Sequence, residues 1–191
     1  MDTYIPIERA LAATGELLAA DGEVVRVVVV GGAALNLLGI VARTTRDVDV
    51  IALSEGAGGM PRLTSPAPMP PALERAIAIV ARDLGIPPDW MNTMVASQWQ
   101  TGLPPGLAAG LSWRRFGGLE VGLPGRFPLI CLKLYAAADQ RGPEGRHFED
   151  LIALAPAEAE LVRAGEWIAT QDPTIGDVVR QVIEHASARL R

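Results

Sequence analysis

At 191 residues, with 49% apolar and 20% charged side chains, the chain has the composition of a folded protein with one substantial core. It lies outside the disordered class, whose signature is low hydrophobicity with high charge. Its 17 basic and 22 acidic residues leave a net charge of −5, which argues against a broad basic footprint for duplex DNA and leaves room for a narrow basic cleft.

Residues 1–20 lack a basic start and carry Glu8 and Glu16, so they do not read as a signal segment. No stretch has the length of a membrane span, and no membrane partner is expected. The lone Cys131, inside the apolar run PLICLKLY, has no second cysteine to pair with and reads as a small core residue. A reducing cytoplasm is the expected location.

Ile7, Ala10, Leu11, Thr14 and Leu18 recur at helical spacing and stop at Asp21-Gly22, which predicts an opening amphipathic helix with a glycine stop. The valine-rich run 24–30, broken only by Arg26, is β-branched and too short for a buried helix, so it reads as a strand buried on both faces. Gly31-Gly32 ends it, and AALNLLG predicts a short helix closed by Gly39. A second strand follows, in which Asp47 and Asp49 alternate with Val48 and Val50 and therefore share one face.

The segment 55–71 is rich in Gly, Pro, Ser and Met and is predicted to be a mobile loop. A helix is expected over 73–84, stopped by Gly85, and LSWRRF-GG-LEVGLP reads as a hairpin on a glycine turn. From Pro128 onward the pattern is helical: PLICLKLYAAADQ, RHFEDLIAL, a helix near 157–169, and a last one opened by Asp172-Pro173. The four tryptophans, Trp90, Trp99, Trp113 and Trp167, read as core or interface anchors and not as a base-stacking platform, since they are not interleaved with basic residues.

The commoner phosphate motifs fail. After Gly31 the places of a dinucleotide-binding fingerprint are held by Ala33 and Asn36, and no lysine or hydroxyl stands where a phosphate-loop ATPase needs one. There is no G-x-S-x-G elbow, and His147 and His185 are too few and too scattered for a zinc site.

What remains is a buried strand, Gly31-Gly32, a short helix, and a strand bearing Asp47-Val48-Asp49. Carboxylates at i and i+2 of a strand have Cα atoms roughly 6.6 Å apart, close enough to share one Mg²⁺ or a metal pair. Glycines at a strand end let backbone N–H groups approach phosphate oxygens. Arg43 and Arg46 read either as solvent-facing charges or as a cationic clamp for phosphates.

The stretch GGAALNLLGIVARTTRDVDV resembles the glycine-pair and D-x-D signature of the minimal nucleotidyltransferase superfamily. Its variant form is similar to the branch containing the abortive-infection toxins of type IV toxin–antitoxin systems. Downstream, CLKLYAAADQR and RHFEDLIAL resemble the ending of that branch.

The resemblance implies an α/β (α+β) fold of the polymerase-β type. Its mixed sheet would be flanked by helices, with a nucleotidyltransferase-like core over 1–127 and a helical part over 128–191 packed on it as one compact unit. It implies Asp47 and Asp49 as Mg²⁺ ligands and catalytic carboxylates, Lys133 as a triphosphate contact, and Asp150 as a supporting acid. Gly31, Gly32, Arg43 and Arg46 would then bind the nucleotide.

The implied activity is Mg²⁺-dependent transfer of a nucleotidyl group from a nucleoside triphosphate to an RNA end such as tRNA, a protein or a small molecule. The protein would be a toxin with a cognate antitoxin protein. The alternatives are a catalytically silent nucleotide-binding relative and an antibiotic-modifying transferase. Two departures from the family pattern bear on this choice. The candidate for the third carboxylate that many members carry is Glu120, and His147 stands where the family often has its first downstream aspartate.

Overall fold

A computed structural model describes residues 7–55, 61–140 and 142–191. The chain forms two compact units, one running through Trp99 and resuming over Ala108–Pro124, the other taking Gln100–Leu107 and Gly125–Arg191. The fold is mixed α/β, with a mixed sheet and flanking helices, as the sequence predicts.

The first unit opens with α1 (Ile7–Ala20), whose buried residues include Ile7, Ala10, Leu11, Thr14 and Leu18, the stripe read from the spacing. Gly22, at φ 72°, takes the left-handed conformation that ends it. Strand β1 (Val25–Val30) follows, and Val27, Val28 and Val29 are fully buried. Each such side chain contributes roughly 1.5–3 kcal/mol on leaving water, so this run anchors the sheet.

Helix α2 (Gly31–Leu37) leads to β2 (Val48–Glu55), which pairs antiparallel with β1. The register slips between Val28/Val29, so Ile51 is an extra residue on β2, and its carbonyl accepts from Trp99 Nε1 at 2.6 Å. An extra residue of this kind bends the strand and re-aims its neighbours, here two positions from Asp49.

Strand β3 (Arg62–Thr64) pairs with the far end of β2. This corrects the reading of 55–71 as a loop throughout. Backbone pairing with a strand already in place lets three residues join a sheet despite a turn-like composition. The part of the predicted loop at 56–60 lies outside the described residues.

Helix α3 (Pro71–Leu84) ends on Gly85 at φ 63° and packs against α1. The two-residue strand β4 (Met91–Asn92) pairs in parallel with the start of β2. A 3₁₀ turn over Met94–Ser97 and the short helix α4 (Gln98–Thr101) come next. The hairpin of β5 (Ser112–Phe116) and β6 (Leu119–Leu123) forms as predicted, with β6 parallel to β1. The sheet order is β3-β2-β1-β6-β5, with β4 beside β2.

The second unit is helical. Helix α5 (Arg126–Gln140) buries Leu129, Ile130, Cys131 and Leu134 and packs against α6 (Arg146–Ala153), α7 (Glu158–Gln171) and α8 (Gly176–Leu190). Arg126 donates to the carbonyls of Leu154 and Ala155 and to both carboxylate oxygens of Glu160, which satisfies the open end of α6 and ties it to α7.

Asp172 caps the next turn by accepting from the Thr174 N–H at 2.8 Å. The element it opens is a 3₁₀ turn (Pro173–Ile175) that precedes α8. Among the described residues no helix is long and apolar enough to cross a membrane.

Candidate functional site

The strand-end site is built by the pairing of β1 with β2. Val48 and Val50 are fully buried while Asp47 and Asp49 are half-buried, so the alternation read from the sequence holds, and regular strand pairing begins at Val48. Asp49 pairs with Val30 on one side and with Asn92 on the other. It is therefore fixed between two neighbouring strands immediately before the glycine turn.

Gly31 has φ 71°, and a Cβ placed there would lie 2.2 Å from Asp49 Oδ2. The carboxylate occupies the space a side chain would fill, so glycine is required here both for the backbone conformation and for the close approach. A Cβ on Gly32 would stand 3.0 Å from Thr45 Oγ1 and 3.6 Å from a guanidinium nitrogen of Arg43. Asp49, Thr45 and Arg43 thus crowd onto the glycine pair. Arg46 is exposed, one residue before Asp47.

Two residues that hold this arrangement were not singled out from the sequence. Asn36 Nδ2 donates to the carbonyl of Arg43 at 2.9 Å, pinning the segment after α2, and the buried Thr45 donates to the carbonyl of Asp47 at 3.3 Å. Asn36 is the one polar side chain in GGAALNLL, and Thr45 belongs to the R-T-T-x-D-x-D stretch. Either could have been marked as positioning on that basis.

Glu120 does not supply a third carboxylate. It pairs in register with Arg26, with Arg26 Nε 2.5 Å from its Oε2, near the start of β1, whereas Asp49 is opposite Val30 at the end of β1. Four residues of strand separate those levels, about 13 Å. The β6 residue paired with Val28 is Gly122, and the strand ends at Leu123.

Lys133 and Asp150 lie in the second unit and are brought together across α5 and α6. Lys133 Nζ is 2.7 Å from Asp150 Oδ2, and their side chains are 5% and 1% exposed. Lys133 is the only lysine of the chain, and it is buried and paired, not a snorkelling surface residue. His147, half-buried on α6, sits three residues before Asp150.

The residues present fit Mg²⁺. Asp47 and Asp49 are hard oxygen donors, and Gly31 leaves room for one of them at the turn. Among the described residues no group of three or more His, Cys, Asp or Glu side chains could hold a metal. Mg²⁺ is commonly held by one or two carboxylates together with substrate phosphates and water, so two donors suffice in the presence of a triphosphate.

A mixed sheet that places a strand carboxylate against a glycine turn is consistent with a nucleotidyltransferase-like fold. Residues 9–57 match the sequence family described as nucleotidyltransferase of unknown function (DUF6036), which supports a place in the nucleotidyltransferase superfamily. The match runs from α1 through β2 and includes Gly31, Gly32, Arg43, Arg46, Asp47 and Asp49. No curated protein and no solved structure matches the chain significantly.

Proposed function

We propose that the protein is a Mg²⁺-dependent nucleotidyltransferase acting on a nucleoside triphosphate. The observation that carries this is the Asp49 carboxylate seated against Gly31, with Asp47 two residues before it and Arg43 beside Gly32. Asp47 and Asp49 would hold Mg²⁺, which supplies charge neutralisation for the phosphates and for the departing pyrophosphate.

The chain's own residues do the rest. The phosphates would lie beside the glycine turn, where the Arg43 and Arg46 guanidiniums offset their charge. Asn36 and Thr45 hold the segment that carries both arginines, so the clamp is in place before substrate arrives. An acceptor hydroxyl oxygen attacks the α-phosphorus, the new P–O bond forms, and the bond between the α-phosphorus and its bridging oxygen to the β-phosphate breaks, releasing pyrophosphate. The acceptor proton passes to a base or to water.

The resemblance to abortive-infection toxins makes an RNA acceptor such as tRNA, and an antitoxin partner, part of this proposal. A protein hydroxyl or a small molecule such as an antibiotic would use the same site.

A second reading, a silent nucleotide-binding protein, is favoured by one observation: β6 has Gly122 and Leu123 toward the level of Asp49 and keeps its only carboxylate, Glu120, with Arg26. Incubation with each α-labelled nucleoside triphosphate, Mg²⁺, total RNA and total protein separates the two. Label in either acceptor supports transfer. Nucleotide binding without label supports the silent reading, and neither binding nor label overturns both.

A further inference from the structure

We infer that Trp113 forms a stacking platform for a nucleobase on the same face of the sheet as Asp49. The inference deepens the nucleotide reading above and rests on it. Paired residues in a ladder share a face, and so do residues two apart along a strand. Trp113 pairs with Gly122, Gly122 with Val28, and Val30, two residues further along β1, pairs with Asp49. Trp113, Gly122 and Asp49 therefore face the same way.

Gly122 is what lets the indole lie down. A Cβ there would stand 3.0 Å from both Cη2 and Cζ3 of Trp113, so any larger residue would push the ring off the sheet. The ring rests on this bare backbone while the residue stays 40% exposed, unlike Trp90, which is fully buried, and Trp167, which is 8% exposed. A stacking role for Trp113 departs from the reading of the tryptophans as anchors and not a base-stacking platform. An indole supported on one side and open to solvent has a π-face to offer.

Distance and charge both agree. From Gly122 to Asp49 the path crosses two strand spacings and two residues of rise, about 12 Å in all. A nucleotide spans a comparable length between its phosphates and its base. Arg115, on the same face two residues from Trp113 and on its side away from Asp49, is 68% exposed, donates through Nε to the Gly117 carbonyl at 3.1 Å and stands 4.0 Å from Glu120. It can meet a phosphate next to a stacked base. Such a base has two possible sources, the donor triphosphate or the end of a single-stranded RNA acceptor, and both stack by the same chemistry.

The test measures binding to the full chain in Mg²⁺ of three probes: inorganic tripolyphosphate, each nucleoside triphosphate, and a short single-stranded oligoribonucleotide. The variants are Trp113→Ala, Trp113→Leu, which still covers Gly122 but has no π-face, and Trp113→Phe, which keeps one. If the donor base stacks, Ala and Leu weaken nucleoside triphosphate binding about tenfold, within what base–aromatic stacking supplies, while Phe stays close to wild type and tripolyphosphate is unchanged. If the acceptor base stacks, the same pattern is confined to the oligoribonucleotide.

Equal binding of both nucleotide probes to all variants overturns the platform, as does an equal loss in Phe and Leu. Wild-type tripolyphosphate binding then shows whether the triphosphate reading survives. If the wild-type chain binds none of the three probes, both readings fall.

Discussion

Lys133 Nζ lies 2.7 Å from Asp150 Oδ2, and both side chains are almost wholly out of solvent. Removing one partner of such a pair strands the other charge in the interior, which costs about 3–5 kcal/mol, whereas a well-packed apolar replacement of both is often neutral. Lys133→Met is therefore expected to lower the melting temperature substantially, and Lys133→Met with Asp150→Leu to recover most of that loss. Thermal denaturation of the two single variants and the double variant checks this. If the double variant folds and still transfers label from a nucleoside triphosphate, the triphosphate-contact role implied by the family resemblance is excluded.

Cys131 is fully buried on α5, and burial pushes its thiol up to about 12, against a smaller opposing pull from Arg163. Only the thiolate reacts with alkylating reagents, so at pH 8 the native protein should be modified on the order of a thousandfold more slowly than a free thiol. Addition of denaturant should release one reactive thiol per chain. Rapid alkylation under native conditions would contradict the packing of α5.

Asp49→Asn and Asp47→Asn keep side-chain volume while deleting a charge that would hold Mg²⁺. Each is expected to reduce nucleotidyl transfer by at least about two orders of magnitude with little change in melting temperature. Near-full activity in either variant would remove that carboxylate from the metal site.

The parts of this protein legible in its sequence are those set by local pattern. The alternation through Asp47 and Asp49 is legible, since Val48 and Val50 are buried and the two aspartates half-buried. The unbroken valines of β1 and the stripe of α1 were equally readable. What the sequence hid depends on pairing register. Glu120 looked available as a third carboxylate until β1 and β6 aligned it with Arg26.

Strand β3 and the extra residue Ile51 exist because β2 offers backbone partners, which no composition reveals. The ion pair of Lys133 with Asp150 is written in neither residue's local pattern. Its burial follows from the packing of α5 on α6, a contact that periodicity does not specify.

The contact between Gly31 and Asp49 permits a test of the site's design that needs no substrate. Two effects oppose a side chain at Gly31. The backbone is left-handed at φ 71°, which costs a non-glycine residue roughly 1–2 kcal/mol, and the new Cβ would collide with Asp49 Oδ2 at 2.2 Å. Gly39 separates them, because it has nearly the same φ, 72°, and no atom within 4 Å of a built Cβ.

Gly39→Ala should therefore show the backbone strain alone. Gly31→Ala should be clearly more destabilised, and the excess should disappear when Asp49→Ala is combined with it, because the colliding oxygens are then gone. Denaturant unfolding of the four variants and wild type gives this coupling as a double-mutant cycle. An excess that persists without the Asp49 carboxylate would place the obstruction elsewhere. If Gly31→Ala is no worse than Gly39→Ala, the close seating of Asp49 on the glycine turn, on which the nucleotide site rests, is wrong.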